Sequence, residues 1–312
     1  MNIVFLDSAT LPRPLQFNFP YQWQDFAHTS PKETCERIAN ADIVLTNKVY
    51  MGATEMDAAP NLKLIAVCAT GFNNVDIEAA KTRGITVCNV PAYGNDSVAE
   101  HALMMILALM RNLPAYTRDV SAGFWQKSAH FTHFSAPIRN VNGKTLTIFG
   151  RGNVGKTLAH YAETLGMKII WGEHKNADMV REGYTNFQAA LKQADVVSLN
   201  CPLNEQTYHL IGENELQIMK PQAILINLGR GGLADEQAVL AALKYGQLGG
   251  AGFDVLSQEP PRDGNPLLSH LPNLIVTPHI AWAGDNALDR MVQILQDNIN
   301  GFIAGTPQNV LV

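Results

Sequence analysis

Short apolar runs alternate with amphipathic stretches along nearly the whole chain. In the first third, residues 2–6, 42–46 (DIVLT), 62–68 (LKLIAVC) and 85–89 (ITVCN) are dense in aliphatic and β-branched side chains and read as strands. Segments 35–41 and 76–81 read as helices. Residues 7–34, rich in proline and aromatic side chains, show no period and predict no element. From 97 to 111 apolar residues recur at helical spacing, with an acid early and Arg111 late, as in a long buried helix. Residues 112–143 carry Phe124, Trp125, Phe131 and Phe134 with little periodicity and read as a long loop. A compact domain keeps such a loop when it has a use, and its aromatic content points to a subunit contact.

The alternation resumes beyond it. Segments 145–149, 168–171, 195–199, 223–228, 250–255 and 274–277 predict six strands, with helical stretches between them that include 214–219 and 235–245. Strands joined by helices imply parallel sheets covered on both faces. The expected fold is α/β, with two doubly wound domains. Residues 98–284 form the larger. Residues 1–97 and 285–312 form the smaller, because the amphipathic segment 286–303 follows the sixth strand and crosses back to cap the first domain.

Composition narrows the function. The 312 residues suffice for two cores. Charged residues make up 16%, below the usual quarter or so, which suggests that a partner covers some surface. Net charge is −5 without a basic run, which argues against nucleic acid. Cys35, Cys68, Cys88 and Cys201 form no CxxC pair, so neither a zinc ribbon nor a disulfide framework is indicated. His130 and His133 are poorly spaced for helix ligands and lack a carboxylate pair, so no metal is expected. MNIVFLD is no signal peptide and the apolar run 102–110 is too short to span a bilayer. A cytoplasmic protein without membrane attachment is expected.

The chemistry centres on residues 145–175. A strand leads into Gly150-Arg151-Gly152-Asn153-Val154-Gly155, a helix runs to Leu165, and a second strand ends at Glu173. A dinucleotide needs these parts. Gly150 permits the tight turn, Gly152 lets the backbone approach a pyrophosphate, and Gly155 lets helix and strand pack closely. The helix N-terminus offers free N–H groups and partial positive charge. Glu173 is suited to accept from an adenosine ribose and to repel a 2′-phosphate, which favours NAD, although Lys175 nearby leaves NADP open.

In doubly wound sheets ligands sit at the carboxyl ends of the strands. Three successive strands end in Gly229-Arg230-Gly231-Gly232, in Gln258-Glu259-Pro260-Pro261, and in Pro278-His279-Ile280. Each alone reads as an ordinary turn or core residue; their coincidence on one edge singles them out. Reduction of a 2-keto acid needs a cation for the carboxylate, a hydride from nicotinamide and a proton for the new hydroxyl. A guanidinium pairs a carboxylate bidentately, and an imidazole titrates near working pH. Arg230 is therefore the expected anchor, His279 the acid/base and Glu259 its orienter.

With ATGFNNVD (69–76), VPAYGNDSVAEHAL (90–103), GRGNVG, NCPLNEQT (200–207), NLGRGGLADE (227–236), GFDVLSQEPP (252–261) and TPHIAW (277–282), the chain resembles the D-2-hydroxyacid dehydrogenases over nearly its whole length. LTNKV (45–49), the Glu173-His174-Lys175 ending and HIAWAG (279–284) look most like the glycerate dehydrogenases, or hydroxypyruvate reductases. The resemblance implies a Rossmann NAD-binding domain inserted into a flavodoxin-like substrate domain, with a cleft that closes on cofactor and substrate. It implies substrate contacts from Thr70, Gly71, Tyr50 and Trp282 beside Arg230 and His279. It implies cofactor contacts from Ser97, Cys201, Pro202, Thr207, Leu228, Gly229 and Asp254, and a homodimer formed through the NAD-binding domains. Tyr50 and Met51 depart from the small or proline residues common in that group, which bears on substrate breadth.

Overall fold

In the computed structural model, which describes residues 1–312, internal contacts group Met1–Gly94 with Ala283–Val312 and separate them from Asn95–Trp282. The first unit holds a parallel sheet of five strands, one more than the hydrophobic pattern predicts. These are β1 (Asn2–Phe5), β2 (Gln22–Asp25), β3 (Ile43–Thr46), β4 (Leu64–Val67) and β5 (Thr86–Cys88), in the order β2-β1-β3-β4-β5. That is the flavodoxin-like order. The unpredicted strand is β2, whose four residues are all exposed and which pairs only with β1. The helices between strands are α1 (Thr34–Ile38), α2 (Ala53–Asp57) and α3 (Ile77–Thr82). Asp76 starts α3 by accepting from Ala79 N at 2.9 Å.

The second unit holds α4 (Asn95–Met110), α5 (Leu113–Ser121), β6 (Thr145–Phe149), α6 (Asn153–Thr164), β7 (Lys168–Trp171), α7 (Phe187–Gln193), β8 (Val196–Leu199), α8 (Glu213–Ile218), β9 (Ile224–Asn227), α9 (Glu236–Lys244), β10 (Gly250–Phe253) and β11 (Leu274–Val276). Its six parallel strands run β11-β10-β9-β8-β6-β7, and a single bridge between Gly172 and Thr185 extends the sheet past β7. Successive residues of each strand alternate between two cores. Leu146, Ile148, Val196, Ile224 and Ile226 pack with α4 and α6 on one face. Val197, Leu199, Leu225, Ala251 and Phe253 pack with α7, α8 and α9 on the other. Each fully buried aliphatic of this kind contributes about 1.5–3 kcal/mol.

The expected loop at 112–143 is only partly a loop. A nine-residue helix, α5, follows Asn112, which takes a left-handed backbone (φ 51°), and Pro114 sits at its start. Only Ala115 and Asp119 of α5 are buried. Tyr116, Val120, Trp125, Phe131, Phe134 and Ile138 line an apolar groove of about 290 Å³, with Phe131 91% and Phe134 76% exposed.

The chain returns to the first unit as α10 (Asp285–Ile303). Ala287, Leu288, Met291, Leu295 and Ile299 form its buried stripe, and buried Asn298 donates to Asn89 O at 2.8 Å. The tail then pairs with β5: Leu311 N donates to Val87 O at 2.8 Å and Val87 N to Val312 O at 3.0 Å.

Candidate active site

Strands β9, β10 and β11 are neighbours, so the three loops that leave their carboxyl ends lie side by side. His279 Nδ1 meets Glu259 Oε2 at 2.6 Å, while Glu259 Oε1 accepts from Leu256 N at 2.8 Å. The loop that carries Glu259 is held in turn by Glu236 at the start of α9. Its carboxylate accepts from Ser257 N (2.7 Å), Ser257 Oγ (2.6 Å) and Asn265 Nδ2 (2.7 Å). Arg230 lies on the adjacent loop, exposed, with Nη1 on its neighbour Gly229 O at 2.8 Å. It makes no bond to His279 or Glu259. Its loop nevertheless packs onto theirs, because a Cβ on Gly231 would stand 1.9 Å from the Leu256 carbonyl carbon. Glycine is what lets these two backbones touch.

His279 has a left-handed backbone (φ 54°), which costs a non-glycine residue about 1–2 kcal/mol. Asp254, 2% exposed, supplies the compensation. Its Oδ1 accepts from Thr277 Oγ1 (2.5 Å) and Ile280 N (2.9 Å), and its Oδ2 from Ala281 N (2.8 Å). His279 N donates to Asp254 O at 2.9 Å. His101 of α4 extends the network, with Nε2 3.0 Å from Thr277 Oγ1. Burial pushes the His101 imidazole below its ordinary value, against the opposing pull of the Asp254 carboxylate. Ser97 Oγ donates to Ala281 O at 2.6 Å, and Trp282 Nε1 donates to His279 O at 2.8 Å. Asp254, Ser97 and Trp282 thus all bond within the loop that presents His279. His101, Thr277 and Glu236 were missed by sequence reasoning, since only the fold brings them there.

A second concavity, of about 750 Å³, opens at the carboxyl ends of β6, β7 and β8. Gly150, Arg151, Gly152, Glu173, Cys201, Pro202 and Thr207 line it. Its glycines fit a dinucleotide. Gly150 has φ 108°, and a Cβ there would lie 2.4 Å from Asn200 O; one on Gly155 would lie 2.2 Å from Gly150 O. A Cβ on Gly152 would meet nothing within 4 Å, so the backbone is open to an approaching group there. Gly152 caps α6 without a side-chain bond, leaving the first N–H groups, from Asn153 and Val154 on, to a ligand.

Glu173 does not await a ribose with free oxygens. Buried to 2% exposure, it accepts from Arg181 Nη2 (2.6 Å), Arg181 Nε (2.9 Å), Arg181 N (2.9 Å) and His174 N (2.8 Å). The Arg181 side chain first, and these backbone bonds with it, pull the Glu173 carboxyl down to about 2. Lys175 is also engaged, with Glu215 at 2.9 Å. Thr207 organises its own turn by donating to Pro202 O at 2.7 Å. Burial pushes the Cys201 thiol up to about 11, so it is no nucleophile at neutral pH. Leu228 packs against the core on the α4 face, and Gly229 N donates to Asn227 Oδ1 at 3.1 Å.

Three expected substrate residues belong to the first unit. Thr70 Oγ1 donates to Val90 O at 2.8 Å, and Gly71 follows at the same strand end. Tyr50 is 56% exposed and lies over Gly52, whereas Met51 is buried in the core and cannot line a pocket. His133 of the arm bonds Asp119 at 3.3 Å. No helix is long and apolar enough to cross a membrane.

Residues 103–281 match the family described as D-isomer specific 2-hydroxyacid dehydrogenase, NAD binding domain. A Haemophilus influenzae protein assigned to the 2-hydroxyacid dehydrogenases is 46% identical over 309 residues, covering 97% of this chain and 98% of the relative. A glycerate dehydrogenase of Methylorubrum extorquens is 46% identical over 312 residues, covering 99% and 98%. Among solved structures, an Aquifex aeolicus D-lactate dehydrogenase complexed with NAD and lactic acid aligns with a TM-score of 0.80 at 27% identity, covering 98% of this chain and 96% of that one.

Proposed function

Since the chain belongs to the D-isomer-specific 2-hydroxyacid dehydrogenases, an oxidoreductase family that uses a nicotinamide dinucleotide, we propose that it reduces hydroxypyruvate or glyoxylate to the D-2-hydroxy acid. The bond between His279 Nδ1 and Glu259 Oε2 carries this reading. It leaves Nε2 to meet the substrate, and the carboxylate on Nδ1 fixes the orientation of the ring. His279 then gives the Nε2 proton to the carbonyl oxygen as it becomes a hydroxyl, and takes it back in the reverse direction. Arg230, extended and without a carboxylate partner, pairs the substrate carboxylate and fixes which face of the carbonyl is presented. Residues 150–155 would hold the cofactor's pyrophosphate, and the cofactor, when bound, supplies the hydride. The similarity to a glycerate dehydrogenase at 46% identity supports a small substrate. The exposed aromatics of the arm support a second copy as the partner of that face.

The test follows NADH absorbance with hydroxypyruvate, glyoxylate, pyruvate and phenylpyruvate. Hydroxypyruvate or glyoxylate should give the highest kcat/KM. Preference for phenylpyruvate would reject the small-substrate reading.

A further inference from the structure

We propose that the pocket at the end of β7 accepts a 2′-phosphorylated adenosine ribose, so that the enzyme works with NADP(H) as well as NAD(H), and that Arg181 sets the balance between them. The inference rests on reading residues 150–155 as a dinucleotide site.

An acid at the end of the second strand ordinarily excludes the phosphorylated cofactor in two ways. Its oxygens bind the ribose hydroxyls, and its charge repels a phosphate. Here neither device stands free. Both Glu173 oxygens are taken by two backbone N–H groups and by the Arg181 guanidinium, at 2.6–3.1 Å. A ribose hydroxyl would have to displace a bidentate, charge-assisted pair to reach them. The carboxylate charge is offset at the same contact.

The cations around the rim complete the argument. Arg181 turns Nε and Nη2 toward Glu173 but bonds nothing through Nη1, and its side chain is 53% exposed. Its guanidinium carbon lies 4.1 Å from the Tyr184 ring centre. Arg151, from the glycine turn, lies 5.6 Å from the same centre and has no carboxylate partner. Both guanidinium groups therefore lie near one aromatic ring on the pocket wall, with Arg151 also 5.1 Å from the Trp171 ring centre. Lys175 and Glu215 cancel, as do Arg181 and Glu173, which leaves Arg151 as surplus positive charge. Guanidinium groups with unspent N–H donors are the usual partners of a phosphate monoester. Lys175, the one cation that sequence reasoning set against Glu173, is not the residue that matters.

The experiment titrates wild type and Arg181→Ala with ADP-ribose and with its 2′-phosphate by calorimetry, and compares NADH with NADPH in turnover. Wild type should bind the two nucleotides within about tenfold of one another. In Arg181→Ala the ratio should move by tenfold or more toward ADP-ribose, and the NADPH/NADH ratio of kcat/KM should follow. Raising salt should erode binding of the 2′-phosphate more than that of ADP-ribose. Arg181→Lys, which keeps the charge, should recover part of the ratio and shows that a loss is not general damage. A wild type that prefers ADP-ribose by more than a hundredfold overturns the proposal. So does an Arg181→Ala ratio equal to wild type. Failure of both nucleotides to bind removes the dinucleotide site itself, and the proposal with it.

Discussion

Replacing Asp254 with asparagine tests how His279 is held. Three donors converge on the Asp254 carboxylate: the Thr277 hydroxyl, Ile280 N and Ala281 N. An amide in its place keeps one oxygen. If that oxygen serves Thr277 and Ile280, the amide NH2 faces Ala281 N, and a buried N–H loses its acceptor at a cost of about 1–3 kcal/mol. The two surviving bonds lose their ionic assistance, about 0.5–1 kcal/mol each. A total near 3 kcal/mol follows, and a unit of this size should melt roughly 6–12 °C lower. The loop has a further reason to let go, because His279 recovers the cost of its left-handed backbone once untethered. A displacement of about 1 Å at a reacting group can cost on the order of a hundredfold. Calorimetry and steady-state kinetics should therefore move together, with kcat down by roughly that factor. A variant that melts within about a degree of wild type and raises only the KM for NADH would show instead that Asp254 serves the cofactor and not the loop.

The remaining predictions concern individual side chains. His279→Asn keeps a residue tolerant of positive φ, so the fold should persist while kcat falls about 10²–10⁴-fold; undiminished turnover would dismiss the acid/base role. Arg230→Lys trades a fork for a point charge and should raise the KM for the keto acid by about tenfold or more, with little change in the KM for NADH; a normal KM would remove the anchor. The Glu173 carboxyl lies at about 2 in the folded chain against an ordinary 4.5, so its contribution is complete above 4.5 and is lost as pH falls toward 2. Urea midpoints of wild type should drop more steeply across that window than those of Glu173→Gln, and parallel curves would refute the linkage.

What could be read in advance divides along physical lines. The strands β3, β4, β6, β8 and β9 are fully or nearly fully buried, and such strands write continuous apolar runs into the chain. Arg230, Glu259 and His279 could be singled out together because the rule about strand ends needs only the order of elements, and β9, β10 and β11 are indeed neighbours. Strand β2 escaped because all four residues of QWQD are exposed and only Trp23 reaches buried rings, those of Phe5 and Phe17, which leaves no apolar run in the sequence. Arg181 escaped because its bond to Glu173 joins a strand end to a loop with no periodic pattern. The links from His101 to Thr277 and from Glu236 to Ser257 span long stretches of chain, and nothing local announces them.

The split of the first unit governs the order in which this molecule can be made. A ribosome releases β1 to β5 early, but α10 and the tail that pairs with Val87 emerge only after the whole of Asn95–Trp282. At the usual pace of synthesis that interval is roughly 10 to 40 s. Throughout it the nascent sheet lacks the helix that covers its apolar residues, while the inserted unit already has every part it needs. Folding in the cell should therefore begin in the middle of the chain, with chaperones most needed by the portion that is translated first.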